Sequence, residues 1–325
     1  MRAALLATLL LLTPAVSAVA ADDAAIEVGC TGLALNPEDK TQTTVGRLGW
    51  RGGCALGTEA DGFGGLSDLL LAADGVGLAA VSDEGRWLTA RLVYDAEGDL
   101  DGIAGARLGP LHDTAGRLLS VSIKKRQDAE ALARLPDGSL VVAFERAHRL
   151  RRFAAGLDGP TEVFDAPPAL AEAGGNAGIE ALVALADGRL LAFAEGAQED
   201  GSGTVWLRTP AGEWQDLTLR AGSLFRPTGA ALLPSGDVLL LERRYTLLGG
   251  LGARVSRIAA ATIRPGARLA PKTLAELAPP LTLDNFEGIA AHRAADGTTR
   301  ITLLSDDNFN AFQRTLLVQF ELLEN

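Results

Sequence analysis

Histidine and cysteine are scarce in this sequence, and their scarcity excludes several common kinds of functional site. Only His112, His148 and His292 and the cysteines Cys30 and Cys54 occur among the 325 residues. These residues do not have the spacing of a zinc finger, a histidine zinc pair or a CxxC redox pair. The GxSxG elbow of α/β-hydrolases is also absent, which leaves a serine hydrolase of that class unsupported.

Positive charge is the second shortage. The formal net charge is −11, and only four of the 30 basic residues are lysine. An acidic chain is a poor partner for nucleic acids and anionic membranes, whose phosphates repel it. A phosphate-bearing substrate would therefore need local arginines or a bound cation. Because alanine, leucine and glycine are also abundant, the excess of arginine indicates compositional bias and does not by itself predict anion binding.

Beyond the N-terminus, no apolar run is long enough for a membrane helix. The first residues, "MRAALLATLLLLTPAVSAVAADD", have a basic start, an apolar stretch from Ala3 to Leu12, and small residues suited to cleavage after Ala18 or Ala20. This pattern predicts a secretory signal peptide over residues 1–20 and a periplasmic or secreted protein. Cys30 lies too far past the apolar stretch for a lipoprotein anchor. Residues 21–325 are expected to form one domain.

The two cysteines, Cys30 and Cys54, are predicted to form a disulfide. They are the only cysteines in the chain and lie 24 positions apart. After export, an oxidising compartment favours a disulfide over two buried thiols.

A repeated hairpin pattern fills most of the remaining chain. Five segments each combine a polar residue, an apolar run, a glycine turn, a second apolar run and an acidic residue. The segments are "SDLLLAADGVGLAAVSDEGR", "EALARLPDGSLVVAFER", "EALVALADGRLLAFAEG", "TGAALLPSGDVLLLERR" and "EGIAAHRAADGTTRITLLSDDN". Their first residues, at intervals of 48 to 63 positions, are Ser67, Glu130, Glu180, Thr228 and Glu287.

The repeats predict an all-β fold. Each segment has two runs of strand length around a short turn, which is the pattern of a β-hairpin. Runs such as "SLVVAF" are apolar without alternation, so both faces of the strand should be buried. Because no long amphipathic helix separates the repeats, we expect a β-propeller. We favour six blades, with residues 26–62 supplying either the sixth blade or strands that close the ring with the C-terminus. Five or seven blades are the alternatives, and a β-sandwich fits the regular spacing less well.

Hairpin pairing predicts that the polar ends of the repeats meet at one rim. The start of the first strand lies beside the end of the second, away from the turn. The expected pairs are Ser67 with Asp83, Glu130 with Glu145, Glu180 with Glu195, Thr228 with Glu242, and Glu287 with Asp306. If the hairpins are the inner strands of blades, these residues surround one mouth of the central channel.

The chemistry of this rim suggests a candidate site. Carboxylates that face one another need protons, arginines or a hard cation, and oxygen ligands suit Ca²⁺ or Mg²⁺. The predicted catalytic residues are Glu130, Glu180 and Glu287. The predicted ligands of a divalent cation, for which Ca²⁺ is the candidate, come from "SDDN" and are Asp306, Asp307 and Asn308. The predicted substrate-binding residues are Arg146, Arg243 and Arg314. The alternative is that the acids and arginines form structural ion pairs around the channel.

The same segments resemble the phytase-like family, also called the "esterase-like activity of phytase" family of exported bacterial proteins. The resemblance covers nearly all of the predicted mature chain, in order, and its most specific part is "NFEG…SDDNFN…QRTLL" near the C-terminus. It implies a β-propeller and hydrolysis of a carboxylic or phosphate ester. The family more often has glycine after the first polar residue of a repeat, where this chain has Asp68 and Ala131.

Together these patterns predict an exported propeller hydrolase that acts on a small anionic or ester substrate. A cation held by the rim acids would polarise the substrate oxygen and activate water. Two alternatives remain open. The first is a lactonase-like metal hydrolase on the same rim, and the second is a non-catalytic ligand-binding propeller. The oligomeric state is not predicted.

Overall fold

Almost all regular structure in the chain is β-strand, and the predicted all-β propeller is confirmed. The computed structural model describes residues 23–323 apart from 121, 155, 175–176, 199, 221–223 and 247–248. The predicted signal peptide, residues 1–20, lies outside the described residues.

Within the described residues, the strands form five four-stranded antiparallel blades, each with its innermost strand first in the order below. Blade 1 contains Leu66–Leu71, Gly77–Ser82, Arg86–Tyr94 and Leu100–Pro110. Blade 2 contains Ala129–Arg134, Leu140–Phe144, Arg149–Phe153 and Thr161–Phe164. Blade 3 contains Ile179–Ala184, Leu190–Ala197, Gly203–Arg208 and Trp214–Leu219. Blade 4 contains Arg226–Leu232, Val238–Thr246, Gly250–Ile258 and Lys272–Leu277. Blade 5 contains Phe286–Arg293, Thr299–Ser305, Thr315–Leu322 and, from the N-terminal region, Leu48–Gly57.

The described strands form five blades, which is one of the alternatives, and not the favoured six. Residues 26–62 do not build a blade of their own. Their long strand, Leu48–Gly57, pairs antiparallel with the last strand, Thr315–Leu322, and completes blade 5. A bridge from Gly52 to Leu100 then joins blade 5 to blade 1. The N-terminal and C-terminal regions therefore close the ring together.

The remaining elements are short. Four further strands pair with blade edges: Ala24–Ala25, Gly29–Gly32, Thr44–Val45 and Arg268–Leu269. One α-helical turn, Lys124–Gln127, and two 3₁₀ turns, Pro168–Glu172 and Ala260–Thr262, lie in connections. None of the helices in the described part of the chain has the length and hydrophobicity needed to cross a bilayer.

The hydrophobic core is divided into five clusters, one between each pair of neighbouring blades. This arrangement explains why strands such as Leu140–Phe144 are buried along their whole length, since each lies between two neighbouring sheets. The five innermost strands surround the axis. Their turn-side halves line an axial cavity of about 180 Å³ with small and aliphatic side chains, including Leu70, Ala133, Val183 and Ile289.

The predicted disulfide between Cys30 and Cys54 is confirmed. It connects the edge strand Gly29–Gly32 to Leu48–Gly57, the strand that closes blade 5. The Cys54 side chain is fully buried between blades 5 and 1.

Because the disulfide restrains the unfolded chain, removing it should lower the free energy of unfolding by about 3 kcal/mol. Urea unfolding of the oxidised protein, the reduced protein and the Cys30→Ala/Cys54→Ala variant measures this difference. Equal midpoints for the oxidised and reduced proteins would show that the cross-link does not contribute to stability.

Candidate active site

Every blade has a β-bulge at the same place on its innermost strand. In each blade one residue near the start of that strand has no partner in the ladder, and the register shifts around it. The five unpaired residues are Ser67, Glu130, Glu180, Thr228 and Glu287. A bulge redirects the side chain of its extra residue. The first residue of each sequence repeat is therefore the residue that the backbone directs away from the regular ladder.

The acids at the ends of the second strands lie beside these bulges. Glu145 N–H donates to Asp128 O at 2.8 Å, and Asp306 N–H donates to Asn285 O at 3.0 Å. Equivalent backbone bonds in blades 1 and 3 are made by Asp83 and Glu195. The turn glycines lie at the other end of the hairpins, where they adopt left-handed φ angles. The acids thus lie at the rim opposite the turns, as hairpin pairing predicts.

Carboxylates from four blades interact electrostatically around the axis, and we call this group the acid cup. Burial raises the pKa of six of its members, and acids from other blades raise each of these pKa values further. The acid cup consists of Asp83, Asp128, Glu130, Glu145, Glu180, Glu195, Glu287 and Asp306. Blade 4 contributes the neutral Thr228 at its bulge, and its hydroxyl donates to Phe286 O at 3.1 Å.

Two groups of three carboxylates come together in the part of the cup formed by blades 2 and 3. Oxygen atoms of Glu145, Glu180 and Glu195 lie within 4.8 Å of one another, and those of Asp128, Glu130 and Glu145 do the same. Glu145 belongs to both groups. Three carboxylate oxygens at this spacing are suited to a hard divalent cation such as Ca²⁺ or Mg²⁺.

Burial and mutual repulsion raise the pKa of the central glutamates. For Glu130 and Glu180, loss of water around the carboxylate raises the pKa well above the ordinary 4.5, and neighbouring acids raise it further. Burial and Asp306 raise the pKa of Glu287 to about 8, and burial is also the main cause that raises the pKa of Asp306 to about 7. In the protein without a cation, Glu287 and Asp306 therefore hold protons at pH values where ordinary carboxyl groups have lost them.

Basic residues neutralise only part of the cup. Lys124 Nζ lies 2.5 Å from a carboxylate oxygen of Asp83 and 3.0 Å from one of Asp128. Among the described residues, no lysine or arginine forms an ion pair with Glu130, Glu145, Glu180 or Glu195. Glu130, Glu145, Glu180 and Glu195 therefore lie close together without an ion-paired lysine or arginine in the described part of the chain.

The three arginines predicted to bind substrate are all paired with acids. Arg146 pairs with Asp128, and Arg243 donates to Asn285 and to Glu287, the latter at 3.1 Å. Arg314 lies 3.4 Å from Asp284, outside the acid cup. Arg146 and Arg243 thus border the cup, whereas Arg314 holds a neighbouring loop. Sequence alone did not predict these partners because each depends on contacts between distant parts of the chain.

The two aspartates of the "SDDN" segment lie in different surroundings. Asp306 is buried and lies close to Glu287, and one of its oxygens accepts a hydrogen bond from Asn308 N at 2.7 Å. Asp307 Oδ1 accepts from Gly65 N at 2.9 Å, and Asp307 Oδ2 accepts from Thr315 Oγ1 at 2.9 Å. Asp306 therefore belongs to the cup, while Asp307 fixes the loop. Asn308 is exposed in a left-handed turn.

The comparisons with known families agree with the resemblance seen in the sequence. The profile of the phytase-like family, described as esterase-like activity of phytase, matches residues 61–309. The chain belongs to the phytase-like family. The match includes the five bulge residues and every member of the acid cup.

Comparisons with individual proteins are more distant. A search of curated proteins finds no match. A gluconolactonase from Xanthomonas campestris is 12% identical, with 91% of this chain and 97% of that chain covered and a TM-score of 0.45. A protein of unknown function from Dyadobacter fermentans is 14% identical, with coverages of 93% and 94% and a TM-score of 0.42. Virginiamycin B lyase from Staphylococcus aureus is 12% identical, with 87% of each chain covered and a TM-score of 0.39.

Asp68 has a clear structural role beside the cup. It follows the bulge residue of blade 1 and is completely buried. Its Oδ2 accepts a hydrogen bond from Leu132 N at 2.7 Å, and its Oδ1 accepts from Leu69 N at 2.8 Å. A further bond from Ile289 N helps to offset the burial that raises the pKa of Asp68. The carboxyl group thus links the innermost strands of blades 1, 2 and 5.

Sequence reasoning missed Asp128 as a member of the acid cup. This residue is buried two positions before Glu130, and it binds both Lys124 and Arg146. The available signal was the segment "KKRQDAE", in which basic residues precede two acids at the start of a predicted strand. Only the fold shows that Lys124 reaches back to Asp83 in blade 1.

The raised pKa values predict that the protein without divalent cations loses stability as the pH rises. The pKa of Glu287 is 4.5 ordinarily and about 8 in the folded protein, so the folded state retains a proton that the unfolded state releases. Stability from this proton is complete below about pH 4.5 and declines up to about pH 8. Between roughly pH 5 and pH 8, wild type in EDTA should therefore lose more stability than Glu287→Gln.

Thermal unfolding in EDTA at several pH values measures this effect. Glu162→Gln, which changes an exposed glutamate on the outer strand of blade 2, is the matched control and should follow wild type. Parallel pH curves for wild type and Glu287→Gln would show that the Glu287 carboxyl does not hold an extra proton in the folded protein.

Proposed function

We propose that this phytase-like protein is a cation-dependent ester hydrolase and that the acid cup is its reaction centre. The observation that carries the proposal is the group formed by Glu145, Glu180 and Glu195. Its oxygens lie within 4.8 Å of one another, and no protein cation pairs with them in the described part of the chain. Buried carboxylates that are not neutralised by protein groups need protons or a metal ion.

The donor set fits a hard divalent cation. All candidate ligands are carboxylate oxygens, which favour Ca²⁺ or Mg²⁺ over softer metals. Glu145, Glu180 and Glu195 would hold the ion, with Glu130 beside them. When bound, the cation would supply Lewis-acid polarisation of the ester or phosphoryl group.

Glu287 is suited to carry the proton that the reaction needs. Its pKa of about 8 in the metal-free protein places it near neutrality, where a general acid or base is most effective. Asn285 Nδ2 donates to its carboxylate at 2.9 Å and fixes its orientation. Arg243, which lies 3.1 Å from Glu287, would stabilise negative charge that develops on a substrate held at the cup.

The substrate class is the part of the proposal that comes from the family. The description of the family names esterase-like activity and phytase, which supports a carboxylic or phosphate ester. A lactone is a cyclic carboxylic ester, so lactonase activity falls within the same proposal. The acidic cup would repel a free anionic substrate unless a cation is present, which is why we expect the activity to require one.

A substrate panel tests the proposed function. EDTA-treated protein is assayed with a p-nitrophenyl carboxylic ester, a lactone, a p-nitrophenyl phosphate ester and inositol hexakisphosphate, with and without Ca²⁺ or Mg²⁺. At least one class should be hydrolysed only when the cation is present. If none is hydrolysed although Ca²⁺ raises the melting temperature, the cup is a binding site and the ligand-binding propeller is the better description.

A further inference from the structure

A second charged site lies outside the acid cup, between blades 1 and 2. It is a cavity of about 230 Å³ between the loop that follows Leu100–Pro110 and the strand Arg149–Phe153. The titratable side chains that line it are His112, Asp113, Arg117, Arg126, Arg149 and Arg151. Four guanidinium groups thus surround one cavity in a chain whose net charge is −11.

The only carboxylate in this lining is already used. Arg117 binds Asp113 Oδ2 through Nε at 2.7 Å and through Nη2 at 2.6 Å. Asp113 Oδ1 accepts the backbone N–H groups of Ala115 and Arg117 at 2.8 and 3.0 Å. Asp113 and Arg117 therefore neutralise each other, and Asp113 has little capacity left for a second arginine.

The other three arginines of the cavity have no carboxylate partner among the described residues. Arg149 donates to the main-chain carbonyls of Ala147, at 2.9 Å, and of Arg126. Arg151 donates to the carbonyl of Leu150 at 3.0 Å. The Arg126 side chain is exposed beside them. Three positive charges thus converge in a cavity whose one lining carboxylate, Asp113, is already bound to Arg117.

Packing holds these charges in place. The Arg149 guanidinium stacks on the ring of Phe144 at 4.0 Å from its centroid, which fixes the orientation of its remaining donors. Burial, followed by repulsion from Arg151 and Arg126, lowers the pKa of Arg149 to about 10, so it still carries its charge at neutral pH. Keeping like charges together costs free energy that a bound anion would recover.

We propose that this cavity binds a phosphoryl dianion, either as free phosphate or as the phosphate of a larger molecule. Arg126 comes from the helical turn Lys124–Gln127, and Arg149 and Arg151 come from the strand Arg149–Phe153. Each retains N–H donors that no group of the described protein accepts. A phosphoryl group presents three peripheral oxygens and two negative charges, whereas a carboxylate presents two oxygens and one charge. Guanidinium donors that converge from several directions therefore match the phosphoryl group better. This site is independent of the proposed hydrolysis at the acid cup.

Inorganic phosphate is the probe for the test. Metal-free protein in EDTA at pH 8 is titrated with phosphate by calorimetry at constant ionic strength, so that a cation in the cup does not contribute. Phosphate should bind to wild type, and the double variant Arg126→Ala/Arg151→Gln should bind it at least tenfold more weakly. Arg126→Ala alone should weaken binding several-fold without affecting the fold, since its exposed side chain has no partner in the described structure.

Two control variants distinguish phosphate binding in this cavity from a general effect of net charge and from binding at the acid cup. Arg134→Ala/Arg264→Gln removes the same two charges at exposed positions elsewhere and should bind phosphate like wild type. Glu180→Gln should also bind phosphate normally, whatever its effect on hydrolysis. Equal loss of binding in both double variants, or no binding of phosphate by wild type, would overturn the proposal. Tighter binding of succinate than of phosphate would overturn the assignment to phosphoryl groups.

Discussion

Replacing Glu180 by glutamine is expected to abolish the rise in melting temperature that Ca²⁺ causes. It should also lower the rate of ester hydrolysis roughly 100-fold or more, the effect typical of losing one acid, base or ligand group. Glutamine has the same size as glutamate but lacks the charge that binds a cation. In EDTA near pH 8 the variant should melt at a higher temperature than wild type. The reason is that wild type must either ionise this carboxyl beside Glu145 and Glu195 or retain a proton on it.

With saturating Ca²⁺ the order should reverse, because a ligand that binds only the native state stabilises it and only wild type keeps the full ligand set. Melting curves of both proteins in EDTA and in Ca²⁺, together with initial rates on the best substrate, measure the two effects. Glu162→Gln again controls for the loss of one negative charge. If Glu180→Gln retains both the Ca²⁺ response and the hydrolytic rate, Glu180 is a structural member of the ring and the cation binds elsewhere.

Replacing Gly229 by alanine should destabilise the protein by about 3 kcal/mol or more, at the upper end of overpacking effects. Gly229 follows the bulge residue of blade 4, where the innermost strands of blades 4 and 5 come into contact. A Cβ atom at this position would lie 2.3 Å from the backbone oxygen of Glu287 and 3.2 Å from Ile289 Cγ2. Since backbone cannot move aside as a flexible side chain does, the two strands would have to separate.

Urea and thermal unfolding of Gly229→Ala measure this cost. Gly32→Ala is the matched control, because a Cβ there has no atom within 4 Å and its φ lies outside the left-handed region. The control should stay within about 0.5 kcal/mol of wild type, the usual range for surface substitutions. A Gly229→Ala variant as stable as the control would mean that the innermost strands are less tightly packed than the structure indicates.

The repeated hairpins explain how much of the fold could be predicted. Their uninterrupted apolar runs and glycine turns identified strands buried on both faces, and those strands form the inner halves of all five blades. The blade count failed at residues 26–62, where the sequence has few local signals. The interior of Leu48–Gly57 contains three glycines, which are poor strand formers. Its partner, Thr315–Leu322, lies at the other end of the chain. Such a long-range pairing leaves no periodic trace within either segment.

The sequence could predict which residues of the candidate site reach the same rim. It could not predict which side chains pair with one another there. Hairpin pairing alone was sufficient to bring Glu130, Glu145, Glu180 and Glu195 to one rim. The same reasoning could not foresee that Arg243 would pair with Glu287, because the two residues belong to neighbouring blades. The hydrogen bonds that Asp307 accepts from Gly65 and Thr315 are likewise not visible in a sequence pattern, because Gly65 lies in a distant part of the chain and the bond from Thr315 depends on how the loop closes.

A calorimetric titration of Ca²⁺ into the metal-free protein at pH 6 and pH 8 tests the cation site in the acid cup most directly. Carboxyl groups with raised pKa values must release protons to bind the ion, so affinity should rise with pH and protons should be released. We expect one Ca²⁺ per chain, tighter binding at pH 8 than at pH 6, and loss of binding in Glu180→Gln. Absence of binding to wild type at both pH values, or equal binding by Glu180→Gln, would contradict a cation site in the acid cup.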